Sequence, residues 1–270
     1  MNHCEALGTR FEFSCSFFGP CVAELQRIEQ KYSRFIPSSM LSSINSNIGH
    51  WVRVDKECVM LIEQALRIQQ ETQGYFSLFV KNTLDALGYD AQYSFTPQHV
   101  ATYAHNVIDI DGINVRAHAP IDFGGFGKGW ALDQLALLCQ QDTRFYLNGG
   151  GDIIVKDAWP ILLEHPDDTT KTIGKITLYS QAFASSAPNR RKWKHGHHLI
   201  NPKTNTPQQT MKAVYVVAET ALLADAYATA LFCAGFEQAL VLAQRLPVQC
   251  MLISVHDKVY TTDAFFIEQV

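Results

Sequence analysis

The sequence lacks several patterns that would assign the chain to a common class. Its seven cysteines are scattered and include no CxxC pair, which argues against a disulfide framework or a zinc ribbon and fits a reducing compartment. No apolar run approaches the roughly 20 residues of a membrane span, and the first residues have no apolar segment typical of a signal peptide. The formal net charge of −4 provides no basic field for nucleic acid. We therefore expect a cytoplasmic protein without a membrane span or a nucleic-acid partner.

Motifs of four catalytic classes are also missing. Gly129 follows Lys128, where a Walker loop needs Ser or Thr. Gly125, Gly127 and Gly129 do not have the GxGxxG spacing of a dinucleotide-binding fold. There is no HExxH zinc motif and no GxSxG nucleophile elbow. These absences argue against a P-loop NTPase, a Rossmann dehydrogenase, a zinc enzyme and a serine hydrolase.

Length and composition are those of an ordinary folded chain. Its 270 residues are 47% apolar and 18% charged, and a chain of this size buries about three quarters of its unfolded surface. Strand and helix patterns alternate without a regular βαβ period, and no repeat or linker is visible. We predict an α+β fold with mixed sheets flanked by helices, in a single domain of residues 1–270 with two closely packed lobes.

Hydrophobic periodicity and capping residues predict the individual elements. Strands are expected at 9–18, 159–164, 175–179, 213–218, 250–255 and 259–262, with a hairpin at 107–117 and a strand before the glycines of 149–151. Helices are expected at 20–31, 55–72, 130–141, 221–233 and 236–246, with a short one from position 38 or 39. Residues 89–105 have too weak a pattern for an assignment.

Residues 121–152 have the densest combination of chemical signals. A glycine-rich turn containing Lys128 leads directly into the predicted helix 130–141. The free N–H groups at the start of a helix lie at the positive end of its dipole and bind phosphate well. This segment predicts a diphosphate-bearing ligand at the helix start. A tight turn with a solvated lysine remains the alternative on this segment alone.

An acidic residue lies within the apolar helix predicted at 221–233. Asp225 and Thr229 are separated by four positions, so both oxygens lie on one helical face. A carboxylate in such a helix needs a partner. Mg²⁺ would be a suitable one because it prefers oxygen ligands and substrate phosphates. A hydrogen bond from a neighbouring loop is the alternative.

Three further groups are candidates with open alternatives. Three histidines lie in the segment 195–207 and can act as a general base or be ordinary loop residues. Ser185 and Ser186 can contact phosphate or form turn hydrogen bonds. The basic cluster at 190–195 is expected to be a solvated loop rather than an anion or partner contact.

Taken in order, these segments resemble the FAD:protein FMN transferases, the ApbE-type flavin transferase family. IDFGGFGKGWALD is similar to the family segment Asp-x-Gly-Gly-x-Ala-Lys-Gly-Tyr-x-x-Asp, and YLNGGGDI is similar to Asn-x-Gly-Gly-Asp. HHLINPKTNTP resembles His-x-x-x-Pro-x-Thr-Gly-x-Pro, and ADAYATALFCAG resembles Asp-Ala-x-x-Thr. Near the N-terminus, LGT and SRFIPSSMLSSIN resemble Met-Gly-Thr and Ser-x-Phe-x-x-x-Ser-Glu-Leu-x-x-x-Asn. The resemblance extends over nearly the whole chain.

The resemblance implies an ApbE-like fold related to the T-fold, and a reaction. Such enzymes cleave the diphosphate of FAD, transfer FMN through a phosphoester bond to a Thr or Ser hydroxyl of an acceptor flavoprotein, and release AMP with the help of Mg²⁺. By position, Asp225, Thr229 and the carbonyl of Gly127 would bind the metal, and His198 would take the proton of the acceptor hydroxyl. The expected FAD-binding residues are Leu7, Tyr75, Phe76, Ser77, Gly124, Lys128, Trp130 and Leu199, with Ser185 and Ser186 as candidates for phosphate contacts.

The chain departs from the family pattern at several positions. Ser185 to Asn189 stand where members commonly have Thr-Ser-Gly-Asp-Tyr, Ser77 stands in place of Asp, Met40 in place of Glu, and Asn205 in place of Gly. These changes lie in the expected flavin and acceptor surfaces rather than among the metal ligands and the histidine. Two other functions therefore stay open: a Mg²⁺-dependent FAD pyrophosphatase, and a flavin-binding protein without turnover.

Overall fold

An eight-stranded sheet lies at the centre of the computed structural model, which describes residues 1–90, 94–99, 102–189, 192–193 and 196–268. The strands are β1 (Asn2–Ala6), β2 (Thr9–Ser14), β3 (Val52–Arg53), β4 (Ile108–Asp111), β5 (Asn114–Ala117), β6 (Phe145–Gly149), β7 (Asp152–Lys156), β8 (Ala158–His165), β9 (Asp168–Tyr179), β10 (Ala182–Ser186), β11 (Lys192–Trp193), β12 (Gly196–His197), β13 (Ile200–Asn201), β14 (Thr206–Pro207), β15 (Met211–Ala218), β16 (Gln249–Ser254) and β17 (Val259–Thr261). The helices are α1 (Phe18–Tyr32), α2 (Met40–Ser46), α3 (Lys56–Glu71), α4 (Lys81–Ala86), α5 (Gly127–Leu138), α6 (Ala221–Ala234) and α7 (Phe236–Ala243).

The sheet order is β1-β2-β6-β7-β10-β15-β16-β17, and every neighbouring pair in it is antiparallel. Smaller antiparallel units surround it: β3-β5-β4, the long hairpin β8–β9, and the pairs β11–β12 and β13–β14. The predicted α+β class is confirmed. The expected mixed sheets are antiparallel throughout the described residues.

Both faces of the central sheet are buried, and the side-chain alternation of β15 shows this directly. Val214 and Val216 belong to the larger hydrophobic cluster, which includes the helices. Tyr215 and Val217 belong to a smaller cluster that includes the side chains of β8 and β9. Successive strand residues point to opposite faces, so helices cover one face and the β8–β9 hairpin covers the other.

Helix α6 is the most deeply buried helix of the larger cluster, with twelve buried residues. It packs against α5, β10 and β15. A helix that is apolar all round is buried on all sides, which explains why the sequence around Asp225 has almost no polar residues. The burial makes the polar side chains of α6 expensive unless they have partners.

Helices α1 and α3 are joined at the surface by a charged network around Glu57. Its carboxylate accepts hydrogen bonds from Arg27 (2.9 Å), Lys31 (2.7 Å) and the Tyr32 hydroxyl (2.7 Å). Burial alone would raise the pKa of Glu57, but these hydrogen bonds lower it to about 2. The predicted N-cap of α3 is present, since the Asp55 carboxylate accepts from the Cys58 N–H at 3.0 Å.

Several boundaries differ from the sequence-based expectations. The helix expected at 130–141 is α5, which begins three residues earlier at Gly127 and ends at Leu138. The strand expected at 9–18 ends at Ser14, and the strand expected at 175–179 is the end of the longer β9. The helix expected at 236–246 is α7, which ends at Ala243. The elements β1, β7, β10 and α4 had no sequence-based prediction.

Two predicted segments lie partly outside the described residues. Positions 190, 191, 194 and 195 of the basic cluster are outside them, whereas Lys192 and Trp193 form the strand β11 rather than a loop. Of the weakly patterned segment 89–105, positions 91–93, 100 and 101 are outside, and the remainder contains no helix or strand. Within the described ranges, no helix combines the length and hydropathy needed to cross a bilayer.

Candidate active site

A single cavity of about 870 Å³ is lined by all fourteen residues that the sequence nominated. They are Leu7, Tyr75, Phe76, Ser77, Gly124, Gly127, Lys128, Trp130, Ser185, Ser186, His198, Leu199, Asp225 and Thr229. They come from the β1–β2 turn, the segment after α3, the start of α5, β10, the segment after β12, and α6. The volume lies within the range of about 300–1,000 Å³ that is usual for small-molecule and cofactor sites.

The start of α5 and the start of α6 are in unusually close contact. A Cβ added to Gly129 would lie only 2.1 Å from the carbonyl oxygen of Ala221 and 2.9 Å from the Cβ of Asp225. The Asp133 carboxylate caps α6 by accepting from the N–H groups of Ala221 (2.8 Å) and Leu222 (2.9 Å). The glycine and the cap together fix α6 against α5, and thereby fix the position of Asp225.

Two buried carboxylates share the ammonium group of Lys128. Its Nζ lies 2.7 Å from Asp152 Oδ2 and 3.1 Å from Asp225 Oδ2, and both acids are at most 4% exposed. The Gly129 N–H also donates to Asp225 at 3.1 Å. Burial, followed by the charge of Asp225, raises the pKa of Asp152. The ammonium of Lys128, one of the expected FAD-binding residues, is thus held between two acids, and the alternative of a solvated lysine is wrong.

The oxygen donors of this cluster fit a hard divalent cation. Asp225 and Thr229 lie one turn apart on α6, and the Thr229 methyl would be 3.5 Å from a Cβ added to Gly125. Gly127, whose carbonyl was the third predicted ligand, begins α5 at the same cavity wall. Two buried carboxylates facing one ammonium leave an excess of negative charge, which Mg²⁺ would neutralise with the oxygen ligands it prefers.

Asp152 was not among the sequence-based candidates. It is the first residue of β7, directly after the tight turn that joins β6 to β7. It is the acid that ends the NGGGD motif. The structure also shows why the glycines are there: a Cβ at Gly150, whose φ is +67°, would lie 2.4 Å from the Thr9 hydroxyl.

The two described histidines of the 195–207 segment have different surroundings. His197 is buried, its Nε2–H donates to the Gln208 carbonyl at 2.7 Å, and its Nδ1 accepts from the Leu199 N–H at 3.2 Å. Both of its ring nitrogens are therefore engaged in holding the local backbone. His198 lines the cavity, whereas His195 lies outside the described residues. Of the described pair, His198 is the one that lines the cavity.

Aromatic side chains line much of the cavity. Tyr75, Phe76 and Trp130 are among them, and Tyr89 stacks on Trp193 with ring centroids 5.7 Å apart and an interplanar angle of 8°. The indole Nε1 of Trp130 is buried and has no hydrogen-bond partner among the described residues. A planar heteroaromatic ligand fits such walls, and one acceptor atom on it would satisfy this donor.

Arg34 and Asp122 also line the cavity and were not nominated from the sequence. The Arg34 guanidinium is nearly buried, donates to Asp85 (2.8 Å) and to the Tyr89 carbonyl (2.7 Å), and lies 3.5 Å from Asp122. The Asp122 carboxylate in turn occupies the space beside Gly124, where an added Cβ would be 2.8 Å from Oδ2. These groups form a second polar region, with Gly124 at its edge.

Leu7 reaches the cavity through a two-residue turn between β1 and β2. Leu7 and Gly8 have φ angles of 51° and 70°, the left-handed pair that two-residue hairpins require. The conformation is unfavourable for leucine, and a hydrogen bond from its N–H to Glu29 at 2.8 Å holds it in place. Helix α1 therefore positions this part of the wall.

The nominated serines have three different environments. The Ser77 hydroxyl accepts from the Phe79 N–H at 3.1 Å within the loop after α3. Ser185 and Ser186 lie in β10 rather than in a turn, so the turn alternative for them is wrong. Ser185 is exposed at the cavity, whereas Ser186 is buried.

The α+β fold and this aromatic-walled cavity with its carboxylate–lysine cluster define an enzyme-like site for a small molecule. The chain belongs to the ApbE family, whose model matches residues 7–252. Two relatives that bear the name FAD:protein FMN transferase support the assignment. The one from Buchnera aphidicola subsp. Schizaphis graminum is 24% identical over 268 residues, covering 88% of this chain and 79% of the relative. The one from Haemophilus influenzae is 24% identical over 273 residues, covering 89% and 79%.

Solved structures of the family have the same fold. The ApbE protein of Thermotoga maritima superimposes with a TM-score of 0.87 at 25% identity, covering 98% of this chain and 97% of that one. The flavin transferase ApbE from Vibrio cholerae gives 0.84 at 20% identity, covering 98% and 97%. At 20% identity, the likeness to the Vibrio cholerae structure supports the fold alone.

Proposed function

We propose that this protein transfers the FMN moiety of FAD to the hydroxyl of a Ser or Thr side chain on an acceptor flavoprotein and releases AMP. The observation that carries the proposal is the meeting of Lys128, Asp152, Asp225 and His198 along one aromatic-walled cavity. The names borne by the relatives support the same reaction.

The reaction breaks the phosphoanhydride bond of the FAD diphosphate and forms a phosphoester bond to the acceptor. The acceptor oxygen forms a bond to the phosphorus of the FMN half, the bond from that phosphorus to the bridging oxygen breaks, and AMP leaves with this oxygen. Such transfers depend on positioning and on neutralising charge. The proton of the acceptor hydroxyl passes to His198, and the aromatic walls hold the rings of the substrate.

We assign Mg²⁺ to the carboxylate side of the cavity. Asp225, Thr229 and the carbonyl of Gly127 would hold the ion, and the buried Asp152 supplies further negative charge nearby. When bound, Mg²⁺ would neutralise charge on the diphosphate. Lys128 is held beside both acids and contributes a fixed positive charge at the same wall.

The acceptor is proposed to be a cytoplasmic flavoprotein. All seven cysteines of the chain are free thiols, which supports a reducing compartment. Ser185 and the half-buried His198 line the cavity and would meet the acceptor hydroxyl there. The changed residues 185–189 would then influence which acceptor is used.

The direct test is incubation of the protein with FAD, Mg²⁺ and a purified candidate flavoprotein domain, followed by mass spectrometry of the domain. The expected result is the added mass of FMN, lost when the acceptor residue is changed to Ala and when Mg²⁺ is chelated. FMN and AMP without an adduct would instead support the pyrophosphatase alternative. Unchanged FAD across a panel of acceptor domains would leave only a flavin-binding role.

The role of His198 has its own test. His198→Gln is expected to slow transfer by about 10²–10⁴-fold, as removal of a general base does, while the Kd for FAD changes little. The matched variant His197→Gln removes a buried side chain with two backbone hydrogen bonds, so it is expected to lower the melting temperature first. Equal losses of FAD binding and transfer in His198→Gln would contradict the base assignment.

A further inference from the structure

Three cysteines form a cluster at the end of α5 away from the candidate active site. Cys15 follows β2, Cys21 lies in the first turns of α1, and Cys139 follows the last residue of α5. Their sulfur atoms all lie within 4.8 Å of one another, and the pair from Cys21 and Cys139 is 3.7 Å apart. The twelve residues of α5 separate this cluster from Gly127 by roughly 18 Å along the helix axis.

We propose that Cys15, Cys21 and Cys139 form a three-thiolate site for monovalent copper. A metal–sulfur bond of about 2.3 Å in a planar three-coordinate site separates the sulfur atoms by about 4.0 Å. The observed separations of 3.7 Å to at most 4.8 Å bracket this value. The side chains therefore need to move by less than about 1 Å to enclose an ion.

The donor set selects the ion. Thiolates are soft ligands that bind Cu(I) and Zn(II) in preference to hard cations. Protein-bound zinc is almost always four-coordinate, but among the described residues no fourth His, Cys, Asp or Glu joins the three sulfur atoms. The carboxylate of the nearby Asp142 accepts from the Ser16 N–H at 2.8 Å and does not belong to the group of ligand atoms. Three sulfur ligands without a fourth suit Cu(I), which accepts three-coordination.

The cluster is packed between two helices and is accessible to an ion from one side. Cys21 and Cys139 are completely buried between α1 and α5, whereas Cys15 is half-buried at the edge of the cluster. An ion can therefore arrive on the side of Cys15 and be enclosed by the other two sulfur atoms. At 3.7 Å the sulfur atoms of Cys21 and Cys139 are far from the roughly 2.05 Å of a disulfide, and all seven cysteines are free, so the thiols are separate and able to ligate.

The test is a titration of the full, reduced and metal-free chain with Cu(I) under anaerobic conditions, in competition with a chromophoric Cu(I) chelator. We expect one Cu(I) per chain and three sulfur neighbours by X-ray absorption. Cys15→Ser should lower the affinity by at least about 100-fold, more than the loss expected for an outer-sphere partner. Because Cys15 is half-buried, this variant avoids the folding risk of changing Cys21.

The matched controls are Cys58→Ser and Cys250→Ser, which remove buried thiols outside the cluster and should leave the copper affinity unchanged. FMN transfer by Cys15→Ser should also stay at the level of the unmodified protein, since the cluster is distant from the cavity. Absence of Cu(I) binding, equal binding by Cys15→Ser, or a preference for Zn(II) with a fourth ligand would each overturn the proposal.

Discussion

The close contact of α5 and α6 makes Gly129→Ala the sharpest perturbation that this structure offers. The added methyl group would lie 2.1 Å from the Ala221 carbonyl oxygen, 2.6 Å from its carbon and 2.9 Å from the Asp225 Cβ. The first two obstacles are backbone atoms and cannot rotate away. The helices must therefore separate by more than about 1 Å, because an ordinary Cβ contact begins at 3.4 Å.

The expected size of the effect combines two opposing terms. Overpacking of this kind costs about 1–3 kcal/mol, and backbone obstacles favour the upper end. Alanine is better than glycine within a helix by about 1 kcal/mol, so the net loss of unfolding free energy is roughly 2 kcal/mol. For a chain of this length this lowers Tm by about 4–8 °C. A displacement of 1 Å at a reacting centre costs about 100-fold in rate, and Asp225 moves with α6.

The assay is urea unfolding together with FMN transfer to the acceptor under saturating Mg²⁺. Gly19→Ala is the matched control, because Gly19 also lies in the first turn of a helix, α1, and a Cβ there meets nothing within 4 Å. The control should be as stable as the unmodified protein or slightly more so, with unchanged transfer. If Gly129→Ala matched this control in both measurements, the close helix contact could not be what positions Asp225.

Three further predictions concern other parts of the fold. Glu57→Gln should lower the unfolding free energy by about 1–2 kcal/mol at pH 7 after allowance for solvent screening. This difference from the unmodified protein should shrink at pH 3. The reason is that the stability from a lowered carboxyl pKa is present above about pH 4.5 and is lost as the pH falls toward 2. Asp152→Asn should raise the Mg²⁺ concentration for half-maximal transfer by about 10- to 100-fold, measured by titrating the metal at saturating FAD. Trp130→Phe should raise the Kd for FAD about 2- to 10-fold, the effect of one hydrogen bond, because the indole N–H has no partner among the described residues. An unchanged Kd would contradict this.

The helix that contains Asp225 and Thr229 was predictable because its evidence is local. A four-residue spacing in a continuous apolar segment defines one helical face, and α6 brings both residues to the cavity. The capping Asp55 and the hairpin at Asp111 to Gly112 were also readable from a few neighbouring residues. In each of these segments, propensity and pattern agree with the tertiary structure.

The role of Gly129 was not predictable, because the residue that leaves no room for a side chain there lies about 90 positions further along the chain. A glycine before a helix predicts a phosphate-binding turn. This glycine instead lies inside α5, where the absence of a side chain allows the backbone of Ala221 to pack closely. The pairing of Lys128 with Asp152 and Asp225 has the same long-range origin. No sequence period connects these three residues.

The strands that were not predicted are those whose extended conformation depends on pairing with neighbouring strands. β1, Asn2–Ala6, is largely polar and lies at the edge of the sheet. β10, Ala182–Ser186, consists of small residues around a single phenylalanine. Strand preference depends strongly on the neighbours a segment packs against, and β10 is fixed by β7 and β15 on its two sides.

The pairing of β2 with β6 has a consequence for the chain during its synthesis. The hairpin β1–β2 needs only nearby residues, but its second partner, with Phe11 opposite Gly149, follows roughly 140 residues later. At about 5–20 residues per second, the ribosome delivers that partner roughly 7 to 30 s after the hairpin. Throughout this interval the open side of β2 and its phenylalanines are exposed to other chains. A chaperone that engages the nascent chain would therefore be expected to act first on residues 9–14.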